Sequence, residues 1–268
     1  MTIDTGIKQV VRERYASAAV AKTSCCGPKC ADAAGPDLGL NMIGDAYADV
    51  DGYVADADLG LGCGLPTRHS GIQSGDVVLD LGSGAGIDAF VARRIVGETG
   101  RVIGVDMTPE MLERARQNAA KLGYDNVEFR FGEIEALPVD DNATDVVVSN
   151  CVLNLVPDKA RAFAEIFRVL RPGAHFCVSD IVATGALSEP IKNAAALYVG
   201  CIAGALPRDE YLRLITAAGF EAIYVAETKP IELPDDVLSR YIDGAGIAAF
   251  KRTGVGLQSI TVRAKKPM

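Results

Sequence analysis

The segment Val77-Val78-Leu79-Asp80-Leu81-Gly82-Ser83-Gly84-Ala85-Gly86 limits the fold more than any other stretch of this chain. Its first five residues read as a short strand buried on both faces. The glycines that follow make a turn where backbone can approach a ligand closely, and a helix is predicted next, over residues 88–96. A strand, a glycine turn and a helix in that order begin a crossover unit, which needs a parallel partner strand. The pattern then repeats. Strands are predicted at 101–106, 127–131, 144–149 and 174–181, with helices at 109–122 and 158–170 between them. Thr108 is placed to cap the helix that Pro109 opens, and Arg171-Pro172-Gly173 ends the later one. Val10, Val11, Tyr15 and Val20 fall at helical spacing in a first helix over 7–21. Beyond the fifth strand, the reading gives a helical insertion at 188–205, a helix at 208–218 and closing strands near 223–227 and 257–262. The fold expected is α/β, a mostly parallel sheet with helices on both faces.

Composition agrees with such a fold and narrows its partners. Across 268 residues, 49% are hydrophobic and 23% charged, which excludes disorder or fibrous structure as a global description. We expect a helix and cysteine-containing lid over 1–70, a core over 71–228 that carries the insertion at 185–206, and an extension over 229–268 that completes the sheet. The net charge of −8 repels phosphate backbones, so nucleic acid is not an expected partner. No apolar run approaches the roughly 18 residues that span a bilayer, and no secretory pattern opens the sequence. A cytoplasmic protein without membrane contact is the expectation.

The glycine spacing is Gly-x-Gly-x-Gly, without the extra residue of the dinucleotide fingerprint. With Asp80 before the turn and Asp106 at the end of the second strand, it points to S-adenosylmethionine rather than a nicotinamide. From about Asp76 to Ile181 the chain resembles the class I S-adenosylmethionine-dependent methyltransferases, whose sheet is Rossmann-like. The resemblance implies that Gly82, Gly84 and Gly86 lie against the methionine moiety and that Asp106 holds the ribose. Met107 would lie against adenine, with Glu133 and Ile134 bracketing the ring. Asp80, Ser83 and Asn150 complete the expected cofactor contacts, and Tyr15 resembles an N-terminal tyrosine that covers the cofactor.

Seven cysteines are the compositional oddity. With no export signal and a chain long enough to bury a core, a disulfide scaffold explains them poorly. They are then small buried hydrophobes, ligands for a metal or metalloid, or redox groups. Cys177, inside the fifth strand, reads as core. After strand four, where amino-directed methyltransferases often carry a proline-rich wall for a planar base, the chain reads Ser149-Asn150-Cys151-Val152-Leu153-Asn154-Leu155. Cys63 sits in Gly60-Leu61-Gly62-Cys63-Gly64 before strand one, and Cys201 in Gly200-Cys201-Ile202-Ala203-Gly204-Ala205-Leu206 after strand five. Each segment is placed to reach the carboxyl end of the sheet, so three thiols are expected to converge. His69 and His175 are read as structural.

These three motifs, with Gly104-Val105-Asp106-Met107-Thr108-Pro109-Glu110-Met111 and Gly132-Glu133-Ile134-Glu135-Ala136-Leu137-Pro138, are similar to those of bacterial arsenite methyltransferases over roughly 60–219. Leu65 departs from that pattern, which often has a polar residue after Gly-Cys-Gly. The resemblance implies that Cys63, Cys151 and Cys201 bind trivalent arsenic as thiolates, the ligands a soft centre prefers. Arsenite, and methylarsenite after it, would be the substrates. The arsenic lone pair would attack the sulfonium methyl in line without a general base, so orientation would dominate the rate. Methylation oxidises arsenic, which implies a thiol reductant such as thioredoxin or glutathione as co-substrate. Cys25, Cys26 and Cys30 are candidates for that redox cycle or for passing substrate inward. Two alternatives stay open on the residues alone: a methyltransferase acting on an organic small molecule, and a metalloid-binding protein without turnover.

Overall fold

Seven strands form one sheet in the computed structural model, which describes residues 3–21, 47–187, 191, 204–232, 235–239 and 242–268. The strands are β1 (Val77–Leu81), β2 (Arg101–Asp106), β3 (Val127–Phe131), β4 (Thr144–Asn150), β5 (Leu170–Ala183), β6 (Glu221–Ile231) and β7 (Leu257–Lys265). Their order is β3-β2-β1-β4-β5-β7-β6. The first five are parallel, and β7 lies antiparallel between β5 and β6. From β1 the chain steps outward through β2 to β3, then returns to the other side of β1 for β4 and β5. That reversal leaves a crevice at the carboxyl ends of β1 and β4, where sheets of this kind hold ligands.

The helices are α1 (Ile3–Ala21), α2 (Pro66–His69), α3 (Ile87–Val96), α4 (Pro109–Leu122), α5 (Lys159–Val169), α6 (Arg208–Ala217), α7 (Asp235–Leu238) and α8 (Gly244–Arg252). Alternation along β1 shows why they occupy both faces. Val78 packs with Phe90 of α3 and with Met111 and Leu112 of α4, whereas Leu79 and Leu81 pack with Phe163 and Ile166 of α5 and Tyr211 of α6. Rings join the second layer edge to face: Phe163 meets Tyr211 at 5.5 Å, and Phe176 meets Phe220 at 4.8 Å. Among the described residues no helix is long and apolar enough to cross a membrane.

The structure departs from the sequence reading at the ends of elements. The first helix starts at Ile3 rather than residue 7. Strand five begins at Leu170, because Arg171-Pro172-Gly173 makes a bulged start instead of a loop: the register with β4 shifts between Thr144 and Val146. Pro172 lacks a donor but is tolerated at such a bulge, and the Gly173 amide donates to Lys266 O at 3.0 Å. The closing strands are longer than expected, since β6 and β7 pair along an antiparallel ladder that polarity alternation alone does not delimit. Helix α8 was not anticipated; its cap is Asp243, whose side chain accepts from the Gly246 amide. Of the insertion expected at 188–205, only residues 191, 204 and 205 lie among those described.

Candidate active site

The carboxyl edge of β1, β2 and β4 opens into a cleft. Asp80, Gly82, Ser83 and Gly84 line it from the first strand and its turn, and Asp106 and Met107 from the second. Glu133, Ile134, Asn150 and Cys151 complete that rim, while Lys8, Val11 and Tyr15 of α1 cross its mouth. Gly86 stands back from the lining and caps α3 at φ 99°. Asp106 ties the turn to the second strand: its carboxylate accepts from the Gly84 amide at 2.9 Å and the Thr108 amide at 2.8 Å. Gly84 has φ 50°, and a Cβ there would meet only the Met111 sulfur, at 3.9 Å. The open space beside it is a backbone cradle that a side chain would narrow. Glu133 is engaged by α1, with Lys8 Nζ 2.7 Å from its carboxylate and 2.9 Å from that of Glu135.

The residues fit S-adenosylmethionine. Asp80 Oδ2 and Ser83 Oγ are buried with no hydrogen-bond partner among the described residues. Such atoms are costly unless a ligand supplies donors. An ammonium group and ribose hydroxyls are donors that the buried Asp80 and the Asp106 carboxylate would accept from, and acids beside them would favour a sulfonium charge.

The thiols are held by a separate network. Cys63 lies in the loop before α2; its amide donates to Asn150 Oδ1 at 3.0 Å, and Ser259 Oγ donates to its carbonyl at 2.6 Å. Asn150 Nδ2 donates in turn to Gly64 O at 2.8 Å and to Asp88 at 3.2 Å, so this carboxamide fastens the Cys63 loop onto the strand that carries Cys151. Tyr47 buttresses the same point by donating to Asp88 at 2.8 Å. The approach is close enough to demand glycine on both sides of Cys63. A Cβ on Gly62 would fall 2.7 Å from Asn150 Nδ2, and one on Gly64 2.7 Å from Ser179 Oγ. Cys151 follows β4 at φ 59°, a left-handed conformation that a residue with a Cβ adopts at a cost of about 1–3 kcal/mol. Its amide still pairs with Ser179 O at 2.8 Å, and the turn lifts the chain out of the sheet into the short helix Leu153–Leu155.

Cys63 Sγ, Cys151 Sγ and a carboxylate oxygen of Asp180 all lie within 4.8 Å of one another, and all three residues are buried. Two of the expected thiols therefore meet, and one of them, Cys151, lines the cleft. Cys201 and the cluster Cys25, Cys26 and Cys30 lie outside the described residues. Cys177 is fully buried in β5, where burial pushes its thiol up to about 12, as suits a packing residue. His175 Nε2 sits 2.5 Å from Ser70 O and His69 3.5 Å from Glu227; neither lines the cleft. Asp180, Asp88 and Tyr47 were not singled out from the sequence. For Asp180 a signal was there: an acid inside the apolar run Phe176-Cys177-Val178-Ser179-Asp180-Ile181-Val182 of an inner strand.

Burial dominates the electrostatics. It raises the carboxyls of Asp80 and Asp106, and it pushes Asp88 up to about 6 and Asp180 up to about 7. An aspartate in the unfolded chain titrates near 3.9, so the folded chain binds more protons. The stabilising contribution is complete below about pH 4 and is lost as the pH rises through about 6 for Asp88 and about 7 for Asp180. Asp88→Asn is expected to become more stable relative to wild type between pH 4 and 8, by on the order of 2–3 kcal/mol without cofactor. Urea unfolding of both proteins across that range checks it, and parallel pH profiles would refute it.

A family model described as a methyltransferase domain matches residues 72–219, more than half of the chain. With the sheet order and the cleft, this makes the chain a class I S-adenosylmethionine-dependent methyltransferase. An arsenite methyltransferase of Halobacterium salinarum is 42% identical over an alignment covering 97% of this chain and 66% of that protein. One from Aquipseudomonas alcaligenes is 39% identical over 69% of this chain and 55% of its own length. The crystal structure of an arsenic (III) S-adenosylmethionine methyltransferase from Chlamydomonas reinhardtii superposes with a TM-score of 0.67 and is 36% identical, covering 87% of this chain and 75% of that one. The chain belongs to the arsenite methyltransferase family, and it spans just under two thirds of the first of these relatives and about half of the second.

Proposed function

We propose that this chain methylates trivalent arsenic, taking arsenite and then methylarsenite, with Cys63, Cys151 and Cys201 as the thiolate ligands. The observation that carries the reading is the meeting of two buried sulfurs from distant segments beside the cofactor cleft. Thiols suit a soft centre better than imidazole or carboxylate, and each one that binds displaces a hydroxyl as water. S-adenosylmethionine supplies an electrophilic methyl group. The chain's own residues then have two tasks. Asp80, Asp106 and the glycine turn fix the donor, and the Asn150 clamp fixes the sulfurs relative to it. A lone pair on arsenic carries no proton, so no general base is needed, and among the described residues no histidine lines this cleft. Holding reactants in this way can lower a barrier by about 7–11 kcal/mol.

Methyl transfer leaves arsenic two electrons more oxidised, and a second turnover needs those electrons returned. Two thiols supply them while forming a disulfide. Cys25, Cys26 and Cys30 are candidates for relaying them from thioredoxin or glutathione, and a reducing cytoplasm keeps such thiols available. The test is incubation with arsenite, a thiol reductant and cofactor labelled in its methyl group, followed by arsenic speciation. Label is expected on methylated arsenic. Label on an organic acceptor and none on arsenic would overturn the reading, as would arsenic binding without cofactor consumption.

A further inference from the structure

The oxygen beside the two sulfurs is unexplained by a pocket built only for a soft atom. Asp180 comes from β5, is 1% exposed, and has a carboxylate oxygen within 4.8 Å of both Cys63 Sγ and Cys151 Sγ. Its orientation is fixed. One oxygen accepts from the Ile181 amide at 3.0 Å and the other from the hydroxyl of the fully buried Tyr211 at 3.2 Å. The Asn154 amide also donates to this carboxyl and the buried Lys159 ammonium favours its charge, yet each carboxyl oxygen can accept two hydrogen bonds, so capacity remains toward the thiols. Burying a carboxyl among apolar strands is costly unless something is gained from it.

We propose that Asp180 determines specificity for inorganic arsenite by accepting a hydrogen bond from the hydroxyl that arsenite keeps once Cys63 and Cys151 are bound to it. This rests on the arsenic reading above and adds an oxygen wall to its pocket. Arsenite carries three hydroxyls. Reaction with two thiols forms two arsenic–sulfur bonds, releases two waters with the thiol protons, and leaves one As–OH. No electrons change hands. That remaining group is a donor placed between two sulfurs, and an acceptor oxygen within reach of both sulfurs is its complement. A third thiol later replaces the hydroxyl, again with loss of water. Methylarsenite differs at this point: its two hydroxyls both leave, its third substituent is the methyl group, and nothing is left for Asp180 to accept.

The two substrates therefore separate a contact with the hydroxyl from a merely structural role. Binding of arsenite and of methylarsenite would be measured by equilibrium dialysis with arsenic quantification, under a non-thiol reductant. The parent protein carries Ser at positions 25, 26, 30 and 201, so that only the Cys63–Cys151 pair and Asp180 are read. Asp180→Asn keeps the volume and one acceptor oxygen but turns the other into a donor, and it is expected to weaken arsenite binding by up to about tenfold while methylarsenite binding stays unchanged. Tyr211→Phe, which loosens the carboxyl without removing it, is expected to give a smaller loss confined to arsenite. If Asp180→Asn does not fold, the Tyr211→Phe comparison decides alone. Equal losses for both arsenicals, or no loss for either, would overturn the proposal and leave the arsenic reading intact. Failure of the parent to bind either arsenical would overturn this proposal, which needs the Cys63–Cys151 pair to hold arsenic by itself, whereas the arsenic reading is decided by the speciation of labelled products.

Discussion

Replacing Cys151 with Ser is expected to lower arsenic methylation by at least about 100-fold while S-adenosylmethionine binding stays as it was. The substitution is close to isosteric and keeps a Cβ in the same left-handed turn, so the path of the chain after β4 should not change. What changes is the donor atom. A hydroxyl oxygen is hard and stays protonated at neutral pH, and it cannot replace a thiolate on a soft centre. Cys63→Ser should behave alike, because Asn150 and Ser259 hold its loop through its backbone amide and carbonyl. Cys177→Ala supplies the contrast: it opens a small void in β5 and should cost stability without changing the arsenic species formed. Speciation of arsenic after a fixed incubation, beside calorimetric titration with the cofactor, measures both quantities. Methylation at the wild-type rate in Cys151→Ser would show that the thiols are packing.

Asp106→Ala should weaken S-adenosylmethionine binding by about 100-fold or more, since on the proposed reading Asp106 accepts from the ribose hydroxyls, and each hydrogen bond to a charged acceptor contributes about 1.5–3 kcal/mol. The same change removes the acceptor for the Gly84 and Thr108 amides, so the turn loses its tie to β2. Asp106→Asn should fall between, because one carboxamide oxygen still accepts. Titration calorimetry with S-adenosylmethionine gives the order directly. Binding of wild-type strength in Asp106→Ala would remove this residue from the cofactor site.

The sheet was legible because its inner strands are mostly apolar and β3 alternates apolar with charged residues, and β1, β2 and β3 begin and end where the pattern says. The antiparallel end was read less well, for a physical reason. Strand β6 has one edge open and a largely solvated face, so its eleven residues show little periodicity to delimit them. At the site, cysteine motifs announced themselves by rarity and by their glycine neighbours. Asn150 was read as a cofactor contact, yet its carboxamide spans the Cys63 loop, a bond between residues 87 apart that no local pattern encodes. Asp180 was hidden by success elsewhere: once residues 174–181 were read as a buried strand, the acid within it looked like part of the sheet. Buried acids in inner strands are the signal to weigh, because apolar strands rarely keep one without use.

The position of β7 between β5 and β6 has a consequence for how the molecule is made. Strand β6 leaves the ribosome before its sheet neighbour exists, and the apolar edge of β5 stays uncovered until residues 257–265 emerge. Nascent chains and fragments ending before that segment should therefore be the form that recruits chaperones or clumps during synthesis, even though their cofactor half is already complete.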